Sequence, residues 1–134
     1  MLRGHGIEVH QISSPTFGSA EEGGQEIIAL QRTGRITAAM FPSDWRLLAF
    51  LPHAQAAGLR VPEDLSLTGC DGILPGIDLL GFTTVRIPVE QAAQRAVEVM
   101  KALLDDRART PTEHELLPGT LVPGRSLGPV PGAG

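Results

Sequence analysis

Apolar and polar positions follow two patterns along this chain, one typical of strands and one of helices. Residues 36–41 form a short, almost uncharged run, as in a strand covered on both faces of a parallel sheet. Residues 65–70 alternate apolar with small polar positions and predict a second strand. Between them, residues 45–57 are rich in apolar side chains, and Gly58 provides a helix stop. The sequence therefore predicts a right-handed βαβ unit.

Further elements are predicted on both sides of this unit. The clearest is an amphipathic helix at Val89–Asp105, whose apolar residues recur at steps of three and four. A capping box at Ser19 predicts a helix to about Thr33, and Pro52 predicts a kink in the helix that contains it. The other predictions are strands at residues 7–12, 83–87, 113–117 and Thr120–Val122, and a loop or short helical turn at 72–81.

An acid follows each strand of the βαβ unit. Asp44 comes after the first strand and Asp71 after the second. Neighbouring parallel strands lie ~4.8 Å apart and end at the same edge of the sheet, so both carboxylates could line one crevice. A carboxylate accepts two hydrogen bonds side by side, from vicinal hydroxyls of a sugar or from a base edge. The alternative is that Asp44 only decorates a helix start and Asp71 a turn.

Two residues next to Asp44 are further candidates for ligand binding. Ser43 can cap the following helix through its hydroxyl, and the same hydroxyl could contact a ligand. Trp45 could stack on the face of a sugar or a base, although a Trp in the first turn of a helix more commonly packs into the core. The candidate ligand-binding residues are therefore Ser43, Asp44, Trp45 and Asp71.

Composition argues against several classes of function. The chain has 134 residues and a net charge of −4, with scattered basic residues, so it lacks the electrostatic footprint of a nucleic-acid binder. It has neither an apolar run of membrane length nor a signal-peptide core at its start. The single Cys excludes an internal disulfide. The four His share no metal-ligand spacing, and no catalytic or phosphate-binding motif is present, so we expect no metal, cofactor or enzyme activity.

Four sequence pieces, taken together, are specific for one family. They are Ser43-Asp44, A-G-L-R-V-P-E-D at 57–64, Gly69-Cys70-Asp71 and F-T-T-V-R-I-P at 82–88. In order and spacing they resemble the effector-binding domain of the lactose/galactose repressor (LacI/GalR) family of bacterial transcription regulators. The resemblance spans about residues 1–129 but only the last third or so of a family member. It implies a three-layer α/β fold with a mostly parallel sheet, periplasmic-binding-protein-like and incomplete.

The resemblance also implies roles for residues and segments. Asp44 and Asp71 correspond to acids that contact the effector. Residues 1–88 would be most of the second effector subdomain, residues 89–124 would return to the first subdomain, and residues 125–134 would be a flexible tail. The chain departs from the family pattern in four places: Cys70 replaces an aromatic residue, Gly72 an acid and Ile87 a Gln, and Arg125 is displaced by one position.

The function implied is sensing of a small polar effector, a sugar or similar molecule, by a cytoplasmic regulator. DNA would be bound only through a helix-turn-helix outside this chain, and no membrane contact is expected. The apolar face of Val89–Asp105 needs a partner, and we favour a second copy and hence a homodimer. One alternative is part of a solute-binding protein for transport, disfavoured by the absence of a secretion signal. Another is a doubly wound enzyme using Asp44 and Asp71 as acid and base, which no motif supports.

Overall fold

The computed structural model describes residues 6–13, 20–105 and 114–130, and within them it contains four helices and four strands. In chain order these are α1 (Ala20–Arg32), β1 (Ala38–Met40), α2 (Asp44–Ala56), β2 (Ser66–Thr68), α3 (Ile77–Leu80), β3 (Thr84–Arg86), α4 (Val89–Asp105) and β4 (Thr120–Val122). None of the helices in the described ranges is long and apolar enough to cross a membrane.

The strands form a small, mostly parallel arrangement. β1 and β2 are parallel, with Ala39 opposite Leu67, and β3 and β4 are antiparallel. The two pairs are joined by isolated parallel bridges, Thr68 with Thr83 and Asp71 with Arg86. These bridges place β3 beside β2, with the same strand direction as β1 and β2. The predicted α/β fold with a mostly parallel sheet is confirmed.

The βαβ unit over β1, α2 and β2 forms for the local reasons that the sequence predicts. Ser43 is the N-cap of α2, and its hydroxyl oxygen accepts the N–H of Arg46 at 3.3 Å. At the other end Gly58 has a φ of 74°, and its N–H donates to the carbonyl of Gln55 at 3.0 Å. This left-handed residue closes the helix and turns the chain toward β2. The helix is continuous through Pro52.

The core lies where α1 and α2 cover the β1–β2 pair and the segment that leads to β3. Leu47 and Phe50 on α2 are fully or almost fully buried, and the rings of Phe41 and Phe50 lie 5.3 Å apart. The remaining buried apolar residues are Ile28, Ala54, Leu65, Leu67, Leu74, Ile77 and Phe82. Burying a large apolar side chain stabilises the fold by about 1.5–3 kcal/mol, so this cluster fixes the position of the strand ends.

Two predicted strands are wrong. Residues 7–12 and 114–117 have no strand pairing, because a strand needs the backbone of a neighbour and no described segment supplies one to either. Residues 7–10 and Ile12 instead line a groove of about 470 Å³ between α1 and β1. The expectation that both faces of the first strand are covered is also wrong, since Met40 is 77% exposed.

The first part of the predicted tail, from Arg125 onward, is held by hydrogen bonds in the structure. The N–H of Leu67 donates to the carbonyl of Ser126 at 2.7 Å, and the Ser126 hydroxyl donates to the carbonyl of Leu67 at 2.7 Å. The same hydroxyl accepts the N–H of Thr83 at 2.8 Å. This segment is therefore held against β2 and the start of β3. The predicted Ser19 cap lies outside the described residues.

Candidate functional site

The two candidate acids lie together at the carboxyl edge of the strands. The N–H of Asp44 donates to the carbonyl of Cys70 at 2.9 Å, and the N–H of Gly72 donates to Oδ2 of Asp44 at 2.8 Å. These bonds hold the start of α2 against the loop that follows β2. The βαβ geometry predicted from the sequence therefore brings Asp44 and Asp71 to one edge, as expected.

Asp44 is not open to a ligand. The residue is 0% exposed, and its second oxygen, Oδ1, accepts the hydroxyl of Thr84 at 2.7 Å. Both carboxylate oxygens are thus used inside the protein, which is how a buried charge is normally compensated. The prediction that the Asp44 carboxylate lines a crevice is therefore wrong in this arrangement, because α2, the 70–72 loop and β3 enclose it.

Asp71 is the less buried of the two acids. It is half-buried and has a φ of 96°, a left-handed value that costs a non-Gly residue about 1–3 kcal/mol. Its backbone is held by β3, since its N–H donates to Val85 and its carbonyl accepts from Ile87, both at 3.0 Å. Burial raises the pKa of the Asp71 carboxyl, and the neighbouring Asp44 carboxylate raises it further.

Ser43 and Trp45 flank Asp44 on the same edge. The Ser43 oxygen caps α2, and a hydroxyl that accepts one bond still has a proton to donate. Trp45 is 58% exposed, so the alternative that it packs into the core is wrong, and its ring is accessible at the start of α2. We call Ser43, Trp45 and Asp71 the strand-edge site. That these residues bind a ligand stays a prediction.

Several residues that support this edge were not predicted from the sequence. Thr84 donates to Asp44 from β3, 40 positions later in the chain. Arg86 donates from Nε to the carbonyl of Gly72 at 3.1 Å and from Nη2 to Asp78 at 3.1 Å. A Cβ at Gly69 would lie 1.9 Å from Oδ1 of Asp44, so that position has room only for glycine. The sequence signal for Thr84 and Arg86 was the T-T-V-R run. Its role in binding a buried carboxylate becomes clear only from the burial of Asp44.

The strand-edge site is equipped to accept hydrogen bonds and to offer an aromatic surface. Across the described ranges, no three His, Cys, Asp or Glu side chains are grouped so as to hold a metal ion. A half-buried carboxylate, a hydroxyl and an exposed indole instead suit a small polar ligand that carries donor groups.

Comparison with families and curated proteins gives a consistent result. The model of the periplasmic binding protein-like domain matches residues 1–127. An HTH-type transcriptional regulator of Mycobacterium tuberculosis is 35% identical over 102 residues, which are 76% of this chain and 27% of the relative. The HTH-type transcriptional repressor PurR of Aliivibrio fischeri is 32% identical over 75% of this chain and 30% of the relative. The chain thus spans less than a third of the length of these relatives.

Solved structures show the same likeness. A LacI family transcriptional regulator from Arthrobacter sp. FB24 superposes with a TM-score of 0.76 at 26% identity, covering 96% of this chain and 48% of that chain. A structure of that regulator in complex with lactose superposes with a TM-score of 0.66 at 27% identity, covering 83% of this chain and 42% of the other.

Proposed function

This chain belongs to the periplasmic-binding-protein-like family as part of a LacI/GalR-type effector-binding domain, and on that premise we propose that it helps to sense a small polar effector for a transcription regulator. A sugar is the ligand class we favour. The lactose complex of the Arthrobacter regulator supports that choice.

The observation that carries the proposal is the half-buried Asp71 on an edge held by β3. Its backbone is held by β3, and Oδ1 of its carboxylate accepts the N–H of Ile73 at 3.4 Å, so the side chain is restrained as well. A fixed carboxylate loses little entropy when it accepts two hydroxyl groups of a sugar, and this favours affinity. The exposed indole of Trp45 adds an apolar surface of the kind on which a sugar ring packs.

The remaining parts of the proposal concern the whole regulator. It acts in the cytoplasm as a homodimer and contacts DNA through a helix-turn-helix domain, in line with the HTH-type relatives. The net charge of −4 on this chain gives no attraction to phosphates, so DNA recognition is assigned elsewhere. The regulator signals by binding its effector and does not catalyse a reaction.

Trp45 provides a direct test, because the chain has one Trp and no Tyr, so its intrinsic emission reports on the strand-edge site. Titration with millimolar lactose, sucrose, cellobiose and, for comparison, adenine should change the Trp45 emission with at least one sugar. The change should saturate, and isothermal calorimetry should give the same affinity.

Matched variants separate site binding from surface effects. Asp71→Asn should weaken sugar binding about tenfold or more, since hydrogen bonds to a charged acceptor are worth about 1.5–3 kcal/mol. Glu63→Gln removes an exposed acid in the turn before β2, away from the carboxyl edge, and should bind like the wild type. Equal weakening by both variants, or no response to any sugar, would refute the proposal.

A further inference from the structure

Asp44 is a buried carboxylate that connects three parts of the strand edge. Oδ1 accepts from the Thr84 hydroxyl on β3 at 2.7 Å, and Oδ2 accepts from the Gly72 N–H at 2.8 Å. Its own N–H donates to the Cys70 carbonyl at 2.9 Å. With no exposed surface, Asp44 makes all of these contacts inside the protein.

These contacts hold the two residues that neighbour Asp71 in the sequence. Cys70 precedes it and Gly72 follows it, and Asp44 binds the backbone of each. Between them Asp71 has a φ of 96°, a conformation that residues other than glycine seldom adopt. A residue keeps such a conformation when its surroundings over-determine it. Here Asp44 holds one side of the turn and β3 holds the other.

We propose that Asp44 is a positioning residue for Asp71, which fixes the backbone and hence the direction of the Asp71 carboxylate, and that Asp44 does not itself touch the effector. The link to effector binding rests on the proposed function, whereas the positioning of Asp71 by Asp44 does not depend on it. Gly69 supports it, because a side chain there would displace the Asp44 carboxylate from its partners.

The charge of Asp44 also acts on Asp71. After burial, the side-chain hydrogen bond and the charge of Asp44 raise the pKa of Asp71, whereas a backbone hydrogen bond from Asp44 lowers it. The other charged groups at this edge are Arg86, which donates to the Gly72 carbonyl, and its ion-pair partner Asp78. A carboxylate with a raised pKa is a stronger hydrogen-bond acceptor, so Asp44 influences both the direction and the basicity of Asp71.

The test measures Asp71 directly, in the absence of any ligand. Carbon-detected NMR titration of the full chain gives the Asp71 pKa, and the amide and Hα resonances of residues 70–72 report its backbone. Asp44→Asn retains the size of the side chain and removes its charge. It should lower the Asp71 pKa toward its ordinary value and shift these resonances.

Thr84 supplies a second, independent variant in case Asp44→Asn does not fold. Thr84→Val removes the hydroxyl bound to Oδ1 and should also shift the resonances of 70–72, whereas Thr84→Ser should restore them. Thr83→Val is the matched control, because the Thr83 hydroxyl accepts from the Gly124 N–H at 3.0 Å instead. The control should leave the Asp71 pKa as in the wild type.

Binding then links this geometry to function. With lactose as the probe, Asp44→Asn should lower affinity about tenfold, together with the NMR changes. Lost affinity with unchanged Asp71 signals would make Asp44 a direct contact and overturn the inference. Unchanged Asp71 signals in both Asp44→Asn and Thr84→Val would also overturn it. If the wild type binds no sugar but the NMR changes occur, the proposed function fails and the positioning role stands.

Discussion

Two aspartates in this chain have pKa values displaced in opposite directions, for clear local reasons. Burial and the neighbouring Asp44 raise the pKa of Asp71. Asp64 accepts from the N–H of Arg60 at 2.9 Å and from its guanidinium at 2.7 Å, which lowers the pKa of Asp64 to about 2. A displaced pKa makes stability depend on pH, so the two acids contribute with opposite signs.

Asp71→Asn should stabilise the protein at neutral pH. Because the folded pKa of Asp71 lies above its unfolded value, the folded state binds the proton more tightly, and stability falls as pH rises above about 3.8. Asn has no proton to lose and tolerates the left-handed backbone. Urea unfolding followed by Trp45 fluorescence should show a higher midpoint for the variant at pH 7 and a shrinking difference toward pH 3.5. A lower midpoint at pH 7 would contradict this assignment.

Asp64→Asn should have the opposite effect. Its folded pKa of about 2 lies below its unfolded value of 3.8, so its stabilisation is present above pH 4 and disappears as pH falls toward 2. The variant should therefore unfold at lower urea than the wild type at pH 7. The two proteins should converge in acid, and a difference that persists at pH 2 would point to a cause other than the charge.

At the scale of single elements, the start of α2 depends on the Ser43 cap. Ser43→Ala removes the acceptor for the Arg46 N–H, and loss of a cap typically costs about 1 kcal/mol of stability. Ser43→Asp retains an acceptor and should stay close to the wild type, as should Ser43→Gly, which costs only a few tenths. The free energy of unfolding from urea titration gives the comparison. Equal stability of the Ala and Asp variants would show that the cap contributes nothing.

Helix limits could be predicted because their signals are local. Gly34 and Gly58 have φ values of 67° and 74° and end α1 and α2 as predicted, and α4 has the predicted limits. Strands were harder to predict than helices, because strand pairing depends on residues far apart in the sequence. Residues 7–12 have the alternation of a strand without a partner, whereas Ser126 lies in a Gly/Pro-rich segment and still binds Leu67.

The strand-edge site shows the same limit. The sequence places Asp44 and Asp71 at one edge, because each follows a strand of one βαβ unit. It does not show which acid is enclosed, since that depends on Thr84 and on the space left by Gly69. The exposure of Trp45 likewise depends on what covers the first turn of α2. Position along the chain could be read from the sequence, and burial could not.

At the scale of the whole molecule, α4 is amphipathic yet buries no residue within the described part of the chain. Val97, Met100 and Leu104 are 55%, 58% and 65% exposed. One ion-pair group ties the helix to the rest of the described chain, with Arg95 bound to both Glu98 and Glu115. Contiguous apolar surface of this kind is typical of an interface or of aggregation.

We therefore expect this chain to self-associate through α4. Full burial of each larger apolar side chain is worth about 1.5–3 kcal/mol, and a second copy offers the same stripe across a two-fold axis. Sedimentation velocity at micromolar concentration should show a dimer. Val97→Glu with Met100→Glu should give monomers, since each dimer would bury four unpaired charges. Gln94→Glu adds charge to the polar face and should remain dimeric. A monomeric wild type that binds no hydrophobic dye would mean that this face is covered within the chain itself.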